Sequence, residues 1–319
     1  MSLGNTSRGT GTHNAGASSF TLSPGSDFSS SGSMAVLCIA ADNSSSGGDT
    51  NDFGSVTDTL GNTWTLRQAP LQDPASTNAG VQGAIYTTPQ NGGKLVTSTT
   101  ITVNFGSSPV AKAWTLTEVT GTGPTFVTGG NGTGSNTGTP TVTSGSIAIN
   151  DMIVGAGFKE GPDNWTGDSD TTNGSWSTKQ SNGLIGSTTG IGVVSQCKTV
   201  TSAGTQTYDP TCTASDVVLA WIEIAETQTF TASAAVTTGN TTCSGTATFT
   251  KPTYTGSAAV SIGNATCAGS ATFTKPTYSG TAAVTTGSAT CSGASGFVVG
   301  TVPANKLAPI MKRMAIRCS

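Results

Sequence analysis

The chain has 319 residues and a formal net charge of −3; only 9% of residues are charged, against roughly 25% in an ordinary globular protein, and 43 are glycine. So little charge of net negative sign leaves no electrostatic footprint for nucleic acid, and no run approaches the roughly 20 apolar residues of a membrane-spanning helix. Abundant Thr with few Lys and Glu disfavours helix and favours short strands joined by tight turns.

The first residues, MSLGNTSRGTGTHNAG, read as part of a flexible leader over 1–17. They lack a basic region followed by an apolar stretch, so no secretory signal is expected there. Alternating apolar runs follow at 18–23, 34–41, 63–68, 81–87, 100–105 and 111–119, then at 146–149, 152–158, 175–180, 190–200 and 216–225. Clusters of Gly, Asn, Ser and Asp separate them. This spacing predicts an all-β domain over 18–226, an antiparallel β-sandwich of jelly-roll type.

The two halves of that region look alike. GNTWTLRQ around Trp64 parallels NGSWSTKQ around Trp176, MAVLCIAA parallels MIVGAGF, and AKAWTLTEV parallels VVLAWIEIA. Aligning Glu118 with Glu223 sets Trp114 and Trp221 two residues apart, on the same face of a period-2 strand. Trp64, Trp114, Trp176 and Trp221 are expected in the core. Duplication and convergent β patterning both account for the likeness.

No GxSxG elbow, P-loop or HExxH occurs, and GGNGTGSNTG (129–138) lacks the phosphate-binding register and reads as a loop. The single histidine, His13, falls in the leader, so a Ser or Cys nucleophile has no base nearby. Seven cysteines without a CxxC pair predict no zinc site. The expectation is a protein with no catalytic residues, no metal and no cofactor. The best binding candidate is KEGPDNWTGDSDTTNGSW (159–176). Trp165 sits there in a polar stretch, so its ring is expected to be exposed and suited to a sugar face. Asp163, Asp168 and Asp170 would join it in contacting a glycan. With Glu160 they are also the carboxylates a glycosidase pair would draw on, but solvated turn formers are the plainer reading.

From Thr227 the texture changes. Cys243, Cys267 and Cys291 keep a step of 24, as do the AAV triplets at 234–236, 258–260 and 282–284 and the pair Phe249 and Phe273. Three 24-residue β repeats are therefore expected over 227–297, as a β stem or solenoid. Bulky residues are few, and so small an apolar payload does not offset chain entropy alone. Self-association as a homotrimer follows, with Cys243, Cys267, Cys291, Phe249 and Phe273 packed in the stem; a self-contained solenoid is the alternative. The last segment, 298–319, is basic and carries methionines. Met311, Lys312, Arg313 and Met314 read as a docking peptide for a larger assembly, or as a terminal cap.

The stretch SMAVLCIAADN…SVTDTLGNTWTL…ITVNF…AWTLTEVTG resembles lectin-like jelly-roll β-sandwich domains of phage and bacterial surface proteins. The GTATFTKPTYTGSAAV…ATCSG units resemble the short Ala/Thr/Gly repeats of phage fibre and decoration proteins. The resemblance implies a non-enzymatic structural protein of a phage virion surface, a head decoration or short fibre protein assembled in the host cytoplasm. Its implied partners are copies of itself, virion proteins such as the major capsid protein or a tail component, and host-surface polysaccharide, with neither nucleic acid nor membrane. A tail fibre or adhesin, or a secreted bacterial carbohydrate-binding module, is the alternative. No catalytic residues come with the resemblance.

Overall fold

The computed structural model describes residues 3–42, 50–74, 79–162, 164–184 and 190–227 in full, and beyond them the backbone of strands between 230 and 291. Every element described is a β-strand. The chain divides into two compact units, Met1–Glu226 and Thr227–Ser319.

The first half of the first unit contains β1 (Gly4–Asn14), β2 (Ser19–Leu22), β3 (Met34–Asp42), β4 (Phe53–Asp58), β5 (Thr65–Gln68), β6 (Leu71–Gln72), β7 (Val81–Thr88), β8 (Ile101–Phe105) and β9 (Ala111–Thr120). The second half contains β10 (Pro124–Asn131), β11 (Ser135–Thr137), β12 (Val142–Ile147), β13 (Met152–Glu160), β14 (Gln180–Leu184), β15 (Ile191–Thr199), β16 (Gly204–Tyr208) and β17 (Ser215–Glu226). A large antiparallel sheet runs β1-β9-β3-β7-β5, with β6 beside β7, and a small sheet runs β2-β8-β4. The second half repeats the plan. Its large sheet runs β10-β17-β13-β15-β14, with β11 beside β17, and its small sheet pairs β12 with β16. In each half the first strand lies beside the last.

The period-2 alternation of side chains sets the layering. Along β3, Met34, Val36, Cys38 and Ala40 face one way and Ala35, Leu37, Ile39 and Ala41 the other, and all eight are buried. The first set packs with Met152, Val154, Ala156 and Phe158 of β13, in a core between the two large sheets. The second set packs with Phe20, Val56 and Val103 of the small sheet. On the far side, Ile153, Leu219 and Trp221 pack against Val142 and Tyr208 of the second small sheet. The first unit is therefore four layers deep, and both faces of each large sheet are covered. Strands buried on two faces read as continuous apolar runs, as MAVLCIAA and DVVLAWIEIA do.

Register ties the halves together. Ala35 pairs with Glu118, and Ile153 pairs with Glu223. On that match Trp114 stands at the position of Leu219, and Leu116 at that of Trp221. Each half thus buries one Trp and one Leu on the same outer face, in opposite order. The halves differ in how that face is filled. Leu37 and Ile39 of β3 correspond to Gly155 and Gly157 of β13. A Cβ on Gly155 would lie 2.5 Å from the Tyr208 ring, and one on Gly157 would lie 2.9 Å from the Trp165 ring. Aromatic rings replace the missing aliphatic bulk.

Residues 4–14, expected within a flexible leader, are instead a strand. The 11-residue β1 pairs along β9 from Gly4 opposite Thr120 to Asn14 opposite Ala111. Its small residues have a packing reason: Gly11 lies across from Trp114, whose ring a Cβ would meet at 2.7 Å. Gly130 of β10 lies likewise across from Trp221. An aromatic laid over an edge-strand glycine supplies the packing that the glycine lacks. Residues 129–138 are likewise more than a loop, since they end β10 and supply β11. Conversely, 175–180 is mostly not strand. It makes one bridge, Trp176 to Lys198, before β14 begins.

Glu118 fastens β1 and the segment before β3 to the large sheet. It has no exposed surface and accepts hydrogen bonds from Arg8 Nε at 2.8 Å and from the hydroxyls of Ser29 and Ser33 at 2.7 Å. Burial alone would raise its pKa; the hydrogen bonds from Ser33, Ser29 and Arg8 outweigh that and hold it below the ordinary value.

The second unit contains β18 (Phe230–Thr237), β19 (Thr241–Phe249), β20 (Tyr254–Ser261), β21 (Ala265–Phe273), β22 (Tyr278–Thr285) and β23 (Thr290–Cys291). β18, β20 and β22 form one parallel sheet, and β19, β21 and β23 form another. Partners stand one repeat apart, with Cys243 opposite Cys267, Cys267 opposite Cys291, and Phe249 opposite Phe273. The side chains of these residues lie outside the described part of the structure. So do Met311, Lys312, Arg313 and Met314.

The replacement of aliphatic bulk by Tyr208 is open to test. Gly155→Ala forces a methyl into a ring with no exposed surface and is expected to lower the unfolding free energy by about 1–3 kcal/mol. Gly145→Ala, with nothing within 4 Å of the added carbon, is the neutral control. Urea denaturation midpoints of the two variants check this.

Candidate functional site

The segment joining β13 to β14 carries the predicted binding residues. It leaves β13 through Gly161, whose φ of 91° suits glycine, and turns again at Asn173 and Gly174, both with positive φ. Between these turns the chain is tied to the sheet by side chains. Gln196 of β15 accepts from the Asp168 N–H at 2.7 Å and donates to the carbonyls of Asp168 and Ser177 at 3.0 and 2.8 Å.

Trp165 is 2% exposed, so the expected open ring is corrected. The absence of side chains on Gly157 leaves a recess in the sheet, and the ring fills it. A glycine two residues from another in MIVGAGF, on one face of a buried strand, was the sequence signal for an aromatic lid. Asp168 is nearly as buried, at 6%. One of its oxygens accepts the Asp170 N–H at 2.7 Å, and the other accepts the Asp209 N–H at 3.0 Å. Asp170 accepts the Thr172 N–H at 2.9 Å and pairs with the Lys198 ammonium at 3.0 Å. The Thr172 N–H, with Lys198 beside it, lowers the Asp170 carboxyl to about 2. Lys198 in turn lies 5.4 Å over the Trp176 ring. The structure thus brings Asp168, Asp170 and Asp209 together, and their oxygens mostly cap backbone N–H groups. Asp163 lies outside the described residues.

A second set of acids meets where the two large sheets end. Asp42 closes β3 and Glu160 closes β13, at matching positions on the faces turned toward each other. Asp216 of β17 joins them, donating to or accepting from Glu160 and receiving Asn136 Nδ2 at 3.2 Å. Burial, reinforced by the charge of Glu160, raises the Asp42 carboxyl to about 6. Burial and Asp216 also raise Glu160, against the pull of the Gly80 N–H. The sequence singled out Glu160 alone. The usable signal was the matched acid at the end of both equivalent strands. Among the described residues, no group of three or more His, Cys, Asp or Glu side chains is placed to hold a metal ion.

An opening lies along one border of the seam between the large sheets. There β1 and β14 run against each other. Between them is a groove of about 510 Å³ lined by polar side chains, among them Asn5, Ser7, Thr10, Thr178, Lys179 and Gln180. At the opposite border β5 lies against β10, and the Arg67 guanidinium sits 4.3 Å over the Phe126 ring.

The chain matches no protein-family model, and neither the curated proteins nor the solved structures contain a match to it.

The acids at the sheet ends make stability pH-dependent in a stated direction. A carboxyl whose folded pKa is raised contributes stability below its unfolded value, and that contribution is lost as pH rises through the folded value. Stability is therefore expected to fall as pH rises from about 4 to about 6, the window set by Asp42. Asp42→Asn should flatten that slope, as read from unfolding free energies across the window.

Proposed function

We propose that this chain is a non-enzymatic structural protein of a phage virion surface, a head decoration or short fibre protein. The first unit is the displayed body and the repeats are the stem. The observation that carries the reading is the parallel pairing of the repeats at a constant 24-residue step. Such pairing extends a thin rod by one unit per repeat, with each unit touching only its neighbours, and builds length rather than a pocket. The poverty of bulky residues in the stem calls for copies of the chain to cover one another. The expected assembly is a homotrimer, standing on a capsid or tail protein through the basic segment around Lys312 and Arg313. The strand plan of the first unit, first beside last in each of two layered halves, supports the jelly-roll reading and suits a displayed domain. Sequences quoted above for their likeness to phage surface proteins point the same way.

A second reading is a tail fibre, an adhesin or a secreted carbohydrate-binding module. The polar groove between β1 and β14 favours contact with a host-surface polysaccharide in either reading.

Native mass by light scattering tests the stem. The full chain is expected to weigh three times one chain, and a chain ending at Glu226 to weigh one. A monomeric full chain would overturn the shared stem.

A further inference from the structure

We infer that the groove between β1 and β14 is a binding site for a short stretch of neutral or weakly acidic polysaccharide. The inference rests on the glycan contact named above and gives it a place, which is not the Trp165 loop.

The groove's volume of about 510 Å³ falls within the roughly 300–1,000 Å³ of small-ligand sites. Its chemistry narrows the ligand. Asn5, Ser7 and Thr10 form one wall, and Thr178, Lys179 and Gln180 the other. Hydroxyl and amide groups both donate and accept, which matches the alternating hydroxyls of a sugar. Among the described residues no apolar side chain lines the groove, so a lipid or an aromatic ligand finds little to pack against. One cation and no carboxylate line it among the described residues, so a cationic ligand is disfavoured and a uronate is tolerated.

Two groups in the groove are left with unused capacity. Gln180 spends its Nε2 on the Thr117 hydroxyl across the seam, at 2.9 Å, while its Oε1 is buried with no partner among the described residues. A buried acceptor without a donor is unfavourable. The Lys179 ammonium donates to the Trp165 carbonyl and, at 3.4 Å, to the Ser181 hydroxyl. It has three protons, so one is left for a sugar oxygen.

The opening is not imposed by the fold. The opposite border of the seam, between β5 and β10, is closed by Arg67 stacked on Phe126. The groove is also held rather than loose, because Asn182 Nδ2 donates to the Thr10 hydroxyl at 3.1 Å and links its two walls.

The test uses the full chain and saturation-transfer NMR against defined trisaccharides built from glucose, galactose, N-acetylglucosamine or glucuronate. At least one is expected to bind, and Thr178→Trp, which fills the groove, should weaken it about tenfold or more with an unchanged melting temperature. Ser7→Ala, a gentler truncation, should weaken it in the same direction and guards against a misfolded first variant. Binding that survives both variants overturns the groove while leaving glycan contact standing elsewhere. No binding by any trisaccharide overturns the assignment. A dimer that Thr178→Trp abolishes, without sugar binding, also overturns it, since the strand edges would then serve a second copy of the chain. The sugar-binding outcomes do not bear on the stem, which the masses of the full chain and of the chain ending at Glu226 decide separately.

Discussion

Phe158 of β13 lies over Gly83 of β7, where even one added carbon would come within 2.3 Å of the ring. Much of the first unit depends on such fits across the seam between the large sheets. Gly83 pairs with Ala40 as Val193 pairs with Phe158, so on the match between halves Phe158 corresponds to Ala40 and Gly83 to Val193. One crossing joins a large residue to none, while the equivalent positions carry a small residue, Ala40, and a medium one, Val193, in the same core. Close packing admits either solution, but not two large residues at one crossing. Polar groups in the seam are paired too, as Thr115 and Ser195 are at 2.8 Å.

This seam dictates where chemistry can sit. A two-layer sandwich leaves outer faces for ligands, but here each large sheet is covered on both sides. Binding groups are displaced to the borders, the strand ends and the connecting segments. The connecting segment after β13 is itself drawn inward, because Gly157 leaves a recess that Trp165 fills. The borders then differ in a way the shared strand plan does not require: one is open and polar, the other closed by a guanidinium on an aromatic ring. The strand ends collect acids, because matching positions of the two halves meet there.

The second unit follows a different physics. Its strands pair in parallel with their own sequence copies, so most residues stand opposite the same residue type one repeat away. That arrangement gives a regular backbone ladder, and the repeats offer few bulky residues. In the proposed stem, association with other copies supplies the covering surface.

The all-β character, most of the strands and the likeness of the two halves were legible in the sequence. Period-2 alternation and turn clusters are local signals, and MAVLCIAA or DVVLAWIEIA carry them in full. The 24-residue step was legible for the same reason, since a repeat is written in the chain. β1 was not, because glycines and threonines carry no alternation; only the Trp114 ring over Gly11 and the ladder to β9 make that stretch a strand. The burial of Trp165 was equally hidden, since it depends on a glycine eight residues earlier and on Val194 and Leu219 from other strands. Glu118 and Glu223 could be aligned from sequence, but not the Arg8 and Ser33 that surround the first. Local periodicity determined which residues become strands. Tertiary packing decided which polar stretches are buried, because that depends on what a distant strand leaves empty.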